Sequence, residues 1–126
     1  MDEQEKPSTP PPAPAPPEPK KLSIGRFFET ELRVAQILAA EPVEKTDKLL
    51  KLQIDLGDEK RQIVAGLALS YAPEDLIGKR IIVVANLEPA RIRGVESQGM
   101  LLAADLDGRP IVATFEGDVP PGTKVR

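Results

Sequence analysis

The chain of 126 residues contains no cysteine, no histidine and no tryptophan. Without cysteine it has neither a disulfide framework nor a thiolate metal site, and without histidine it lacks the commonest general base. No apolar run approaches the roughly 18 residues of a membrane span, and the acidic, proline-rich N-terminus is unlike a signal segment. We therefore expect a cytoplasmic protein with no membrane segment, no metal site, no catalytic residues and no cofactor.

Proline is concentrated at one end, since eight of the 14 prolines lie between Pro7 and Pro19. This composition predicts a disordered, proline-rich linker over residues 1–21, although a ligand for a proline-recognising domain remains an alternative. The remaining residues, 22–126, are enough for one domain. From Leu22 onward 14 basic and 16 acidic residues leave a net charge near −2. A broad basic field is absent, so any nucleic-acid surface must be a local patch.

Apolar periodicity predicts mostly strands. Ser23 is a plausible N-cap for a short helix with an apolar stripe formed by Ile24, Phe27 and Phe28, and the two phenylalanines are interpreted as core. Strands are predicted near residues 32–37, 50–56, 61–65, 80–85, 100–104 and 109–115, with a bulge at Ala35-Gln36. A helical turn is predicted from Pro73 to Ile77, and a tight turn at Asp107-Gly108. Without a βαβ alternation, these strands favour an all-β fold built as a small antiparallel barrel.

Two of the predicted strands, residues 81–85 and 100–104, are apolar on both faces. A small barrel buries only one face of each strand, so the other face needs a cover. The N-terminal helix, the C-terminal segment or a second subunit would each serve. We favour a second subunit, and therefore a homodimer.

The segment between those strands carries two arginines, Arg91 and Arg93, which are separated by Ile92. In an extended chain both guanidinium groups would point the same way, and their planar forks suit phosphate. The alternative is a solvated face in which the arginines pair with Glu88 and Glu96.

Seven sequence blocks, in order, resemble the tRNA-binding domain family with an OB fold. They are Leu32-Arg33-Val34, Asp47-Lys48-Leu49-Leu50, Asp55-Leu56-Gly57, Arg61-Gln62-Ile63-Val64, Gly78-Lys79, Asn86-Leu87-Glu88-Pro89 and Ser97-Gln98-Gly99-Met100. The resemblance covers nearly all of residues 22–126. It implies a five-stranded antiparallel OB-fold barrel with a short N-terminal helix and a C-terminal β extension. It also implies a dimer that binds the folded corner of tRNA by shape and charge.

Carried over by position, the resemblance implies that the tRNA-facing residues are Asn86, Arg91, Arg93, Ser97 and Met100, with Lys48 and Arg33 as weaker candidates. Two of these have structural alternatives. Met100 could belong to the core, and Arg33 could pair only with Glu31 or Asp55.

Where many relatives carry His-Pro, this chain has Val43-Glu44, which is similar to the methionyl-tRNA synthetase version of the domain. The expected function is an accessory module that raises the local tRNA concentration for that synthetase, in cis or in trans. The alternative is a protein-binding chaperone, similar to the secretion-chaperone branch of the family. An enzyme is disfavoured because Ser97 lacks the first glycine of a nucleophile elbow. Generic single-strand binding is disfavoured because only four aromatic residues are present.

Overall fold

The structure is a computed structural model that describes residues 20–126; residues 1–19, and with them nearly all of the predicted linker, lie outside it. The described part of the chain is built mostly from short strands. Its elements are α1 (Ile24–Phe27), β1 (Leu32–Pro42), β2 (Leu50–Asp55), β3 (Lys60–Ala65), α2 (Pro73–Leu76), β4 (Arg80–Val84), β5 (Ala90–Ile92), β6 (Val95–Ser97), β7 (Met100–Leu101), β8 (Ala103–Leu106), β9 (Arg109–Val112) and β10 (Lys124–Val125).

The main sheet is antiparallel, with strand order β3-β2-β1-β4-β7, and β10 pairs with the start of β1. The long strand β1 serves two neighbours, because its first half pairs with β4 and its second half with β2. This sharing curls the sheet around a core that includes Ile37, Leu52, Ile54 and Ile81, all fully buried. The all-β, OB-like prediction is confirmed.

The predicted bulge is present but displaced. The register of β1 against β2 shifts between Ile37 and Ala39, which leaves Leu38 as the extra residue, so the position predicted at Ala35-Gln36 was wrong. Val34 and Ala35 are both fully buried. The alternation of apolar and polar residues breaks at this point because β1 is buried on both faces there. The pairing of β1 with β4 continues through these residues without a register shift.

The strand predicted over residues 100–104 is divided at Leu102. The Leu102 N–H donates to the Ile82 carbonyl of β4 at 3.0 Å, while its own carbonyl accepts from Ala113 N–H at 3.2 Å. The chain therefore leaves the main sheet at this residue and continues as β8, which pairs with β9. An apolar run reveals no change of partner, so the sequence predicted a single strand.

Both predicted helical turns form. Ser23 caps α1 by accepting a hydrogen bond from Arg26 N–H at 3.1 Å, and Pro73 opens α2. However, Phe28 is 58% exposed and Phe27 36%, so the assignment of the phenylalanines to the core was wrong, and Ile24 of the same stripe is 70% exposed. Every residue from Lys20 to Glu31 is exposed. Within residues 20–126, no surface covers this apolar stripe.

Among the described helices, none is long and apolar enough to cross a membrane.

Candidate nucleic-acid interface

After Pro89, β5 and β6 form a two-stranded hairpin outside the main sheet. Ile92 pairs directly with Val95, so Arg93 and Gly94 form a two-residue turn with φ values of +53° and +82°. This is the pattern of a type I′ turn. The prediction that Arg91 and Arg93 share one extended stretch was wrong, since Arg93 occupies the left-handed tip. Arg91 lies on β5 and donates from Nη1 to the Gly94 carbonyl at 3.0 Å.

Both arginines of this hairpin are exposed. Within residues 20–126, no carboxylate comes within 4.0 Å of either guanidinium group, so the predicted pairing with Glu88 and Glu96 is not observed there. The tip therefore presents positive charge that the described acidic side chains leave available to a ligand.

Ser97 has a structural position. It is 4% exposed, and its Oγ accepts from Val64 N–H and donates to the Gly99 carbonyl, each at 3.0 Å. The hydroxyl thus provides the hydrogen bond that connects β3 to the end of β6. A serine used in this way has little capacity left for a phosphate.

Asn86 likewise has both ends of its amide occupied. Its Oδ1 accepts from Glu31 N–H at 2.9 Å and its Nδ2 donates to the Glu29 carbonyl at 2.6 Å. The backbone bond from Ala85 N–H to the Glu31 carbonyl, at 2.7 Å, reinforces this link. Asn86 therefore fastens the segment after α1 to the end of β4.

The remaining three predicted site residues differ in whether they are free to contact a ligand. Arg33 is mostly buried and engaged: its Nη2 donates to the Leu56 carbonyl at 3.0 Å and to Asp58 Oδ1 at 3.1 Å, and its Nη1 lies 3.9 Å from Glu31 Oε2. Met100 is 52% exposed and so is not core. Lys48 is exposed in the loop between β1 and β2. Met100 and Lys48 thus remain available to a ligand, whereas Arg33 serves the fold.

Arg61 is a structural residue whose role the sequence did not reveal. Its Nη1 donates to the carbonyls of Ala85, at 2.5 Å, and Gln98, at 3.2 Å, so it joins β3 to both ends of the β5–β6 connection. Its Nε and Nη2 bind the Glu59 carboxylate at 3.0 and 3.1 Å. This bidentate hydrogen bond lowers the pKa of Glu59 and raises that of Arg61.

A groove of about 460 Å³ separates the hairpin tip from the loop between β1 and β2. Its lining includes Lys45, Lys51 and Arg93, together with Glu41 and Glu44. Sequence reasoning overlooked Lys45 because its contribution depends on bringing two distant loops together. No group of three or more metal-ligating side chains forms within the described residues.

The comparisons agree with this geometry. Residues 32–124 match the family model described as "Putative tRNA binding domain". Methionine--tRNA ligase 1 of Bacillus anthracis is 52% identical over 110 residues, covering 87% of this chain and 17% of that protein. The methionine--tRNA ligase of Archaeoglobus fulgidus is 51% identical over 106 residues, covering 84% and 16%. The chain thus spans about a sixth of the length of these curated relatives.

Two solved structures are also similar to this chain. A methionyl-tRNA-synthetase-related protein from Pyrococcus horikoshii superposes with a TM-score of 0.81 at 39% identity, covering 85% of this chain and 99% of that one. The chaperone CsaA from Bacillus anthracis superposes with a TM-score of 0.79 at 29% identity, covering 85% and 100%. The family model covers well over half of the chain, and the all-β fold matches the expectation from the sequence. The chain therefore belongs to the tRNA-binding domain family.

Proposed function

We propose that the chain is a tRNA-binding, dimerising accessory module of methionyl-tRNA synthetase and acts in the cytoplasm. The observation that carries the proposal is the hairpin tip, where Arg91 and Arg93 are exposed with no described carboxylate within 4.0 Å. Arginine forks bind phosphate oxygens in pairs. Met100 and Lys48 are also exposed, and Lys48 belongs to the loop that lies across the groove from Arg93, so both would extend the surface.

In this role the module does no chemistry itself. It would hold the folded corner of tRNA and so raise the effective concentration of tRNA near a synthetase active site. That site would belong to the same chain or to a partner, and the identity of about 50% to methionine--tRNA ligases supports the choice of synthetase. The net negative charge predicts modest affinity that depends on a local patch.

The test is a salt-titrated binding assay with folded tRNA, unfolded tRNA and an unstructured RNA of equal length. We expect folded tRNA to bind best, with a log–log salt slope of about −3 to −5 for roughly four to six phosphate contacts. Arg91→Ala/Arg93→Ala should weaken binding and make the slope shallower by about 1.4 to 1.8. Arg109→Ala, at the exposed first residue of β9, removes one arginine away from the hairpin and is the control for charge.

If all three RNAs bind equally, or if the double variant binds as the wild type does, the hairpin is not a tRNA site. A proportional loss in Arg109→Ala, about half that of the double variant on a logarithmic scale, would show that only the overall charge matters.

The homodimer is proposed from the exposed stripe on α1. Phe28 also lines a groove of about 440 Å³ together with Leu32 and Val125. Acidic side chains, Glu29 and Glu31, and basic side chains, Lys124 and Arg126, share this groove. A patch that carries both charges around an apolar centre can complement its own copy across a two-fold axis.

Sedimentation equilibrium tests this proposal. We expect the wild type to sediment as a dimer and Phe28→Ser to dissociate at low micromolar concentration. Leu69→Ser, at another residue that is 71% exposed, should leave the dimer intact. A monomeric wild type would overturn the proposal.

A second candidate is a protein-binding chaperone, and the likeness to CsaA together with the exposed apolar stripe favours it. It differs in the surface used, because unfolded polypeptide would bind the apolar residues instead of the arginines. Suppression of the aggregation of an unfolded protein, lost in Phe28→Ser and kept in Arg91→Ala/Arg93→Ala, would support the chaperone over the tRNA module.

A further inference from the structure

Three residues other than glycine have a left-handed backbone in the described part of the chain: Lys45 at φ +66°, Arg93 at +53° and Asp107 at +52°. Asp107 is ordinary, because aspartate before glycine is a favoured sequence for such a turn. Long cationic side chains have no such local reason to adopt this conformation. Strained residues of this kind tend to occur at functional sites, where the surrounding structure holds them.

Lys45 is the third residue of a four-residue turn, since Thr46 N–H donates to the Val43 carbonyl at 3.3 Å. A positive φ at the third residue is the type II pattern, which favours glycine or asparagine there. Arg93 is the first central residue of its two-residue turn, where asparagine or aspartate is preferred. At both places the sequence has a long cation where turn chemistry favours a small residue.

These two turns face each other across one groove. Lys45 and Arg93 both line the cleft of about 460 Å³ described above. The third cation, Lys51, is paired with Glu41 at 3.3 Å. Neither Lys45 nor Arg93 has a carboxylate within 4.0 Å among residues 20–126. The two strained cations are therefore the ones that the described ion pairs leave available.

We propose that Lys45 and Arg93 together grip a single backbone phosphate of the bound RNA, and so join the β1–β2 loop to the hairpin tip. The proposal rests on the proposed tRNA binding and adds to it a site that spans two loops. The three cations and two carboxylates of the groove leave one net positive charge, which matches one phosphodiester rather than a run of acidic residues. Arginine supplies a bidentate fork and lysine a point charge.

The test is a double-mutant cycle with Lys45→Asn and Arg93→Asn. Asparagine tolerates the left-handed backbone, so each change removes a cation and keeps its turn. We expect each single variant to lower the affinity for folded tRNA about tenfold, the effect of a charge-assisted hydrogen bond. The double variant should lose little more than either single one, because the residues share one phosphate.

The salt slope gives an independent measure. Loss of one shared phosphate should make the slope of the double variant shallower by about 0.7 to 0.9, whereas two separate phosphates would change it by twice that. Asp107→Asn, at the third left-handed residue, is the matched control and should bind as the wild type does. Wild-type affinity in Lys45→Asn, or additive losses with a two-phosphate slope, would overturn the proposal.

A second readout separates this proposal from the proposed function. Amide chemical shifts of residues 44–46 and 93–95 should move when inorganic phosphate is titrated into the wild type, and not in the double variant. If tRNA fails to bind but phosphate shifts these amides, the tRNA function is wrong and an anion site remains. Absence of these shifts overturns the shared site even if tRNA binds. Binding of poly-glutamate at the same amides, with no binding of RNA, would overturn the assignment to RNA.

Discussion

The two small hairpins of this domain have the same turn geometry and different chemistry. In both, a two-residue turn has positive φ at each central residue, Arg93-Gly94 in one and Asp107-Gly108 in the other. The second turn is stabilised locally, since Asp105 Oδ1 accepts from Gly108 N–H at 2.8 Å. Its aspartate is a residue that the geometry favours. The first turn has an arginine at a position where asparagine or aspartate is preferred.

The hairpins also differ in how they are fastened. The β5–β6 hairpin is joined to β3 through Ser97, Gln98 and Arg61, including a bond from Gln98 N–H to the Gln62 carbonyl at 2.8 Å. On the β8–β9 hairpin, Val112 N–H donates to the Tyr71 hydroxyl at 3.0 Å. The hairpin with the less favourable tip is therefore the one held by several side chains. A rigid support beneath a strained tip is what a preorganised binding site requires.

The largest expected difference between the hairpins is the loss of stability when the side-chain hydrogen bonds that attach them to the rest of the domain are removed. Ser97→Ala should lower the free energy of unfolding by about 1–3 kcal/mol, because it leaves the buried Val64 N–H without a partner. Tyr71→Phe, which removes the corresponding partner of Val112 N–H, should cost less, about 0.5–1.5 kcal/mol, because Tyr71 is only half-buried and water can reach its site. Urea denaturation of both variants measures the difference.

Equal losses in the two variants, or a larger loss in Tyr71→Phe, would contradict the view that the β5–β6 hairpin is the more firmly attached. Ser97→Thr retains the hydroxyl and serves as the control for the hydrogen bond, with some crowding expected from its methyl group.

A smaller difference is expected at the tips. Arg93→Asn should raise the free energy of unfolding by about 0.5–1 kcal/mol, since asparagine adopts the left-handed backbone at lower cost than arginine. Asp107→Asn should change it by less than about 0.5 kcal/mol, because both residues suit the turn. The midpoint of urea denaturation, at an unchanged slope, is the measurement.

If Arg93→Asn is no more stable than the wild type, the left-handed conformation of Arg93 costs nothing and the contrast between the two tips is lost. If it is more stable and also binds tRNA less tightly, the arginine is retained for binding at the expense of stability.

Local patterns in the sequence were sufficient for much of the fold. The alternation of Leu50, Leu52 and Ile54 predicted a strand with one buried face, and these residues are buried in β2. The Asp107-Gly108 pair predicted the turn before β9. Ser23 and Pro73 marked the starts of the two helical turns. Each of these signals depends on contacts within a few residues, which the sequence displays directly.

The site was predictable only in part. The resemblance pointed to the segment that carries the exposed Arg91 and Arg93, but it could not distinguish residues exposed to solvent from residues that hold the loop. Asn86, Ser97 and Arg33 are polar residues in family motifs, yet each also binds a partner that lies 23 or more positions away in the sequence. Lys45 was missed for the same reason, because it lies far from Arg93 in the sequence and shares a groove with it only in the folded chain.

The sequence by itself determined the class of fold, most strands of the main sheet, the turn at Asp107-Gly108 and the family, because periodicity, turn residues and motif order are properties of neighbouring residues. Only the tertiary structure decided where β1 bulges, where the chain changes partner at Leu102, and which polar side chains are already bound. It also showed that residues 20–126 leave the apolar stripe on α1 exposed. These features depend on which distant groups come within hydrogen-bonding or van der Waals distance, and folding alone sets those distances.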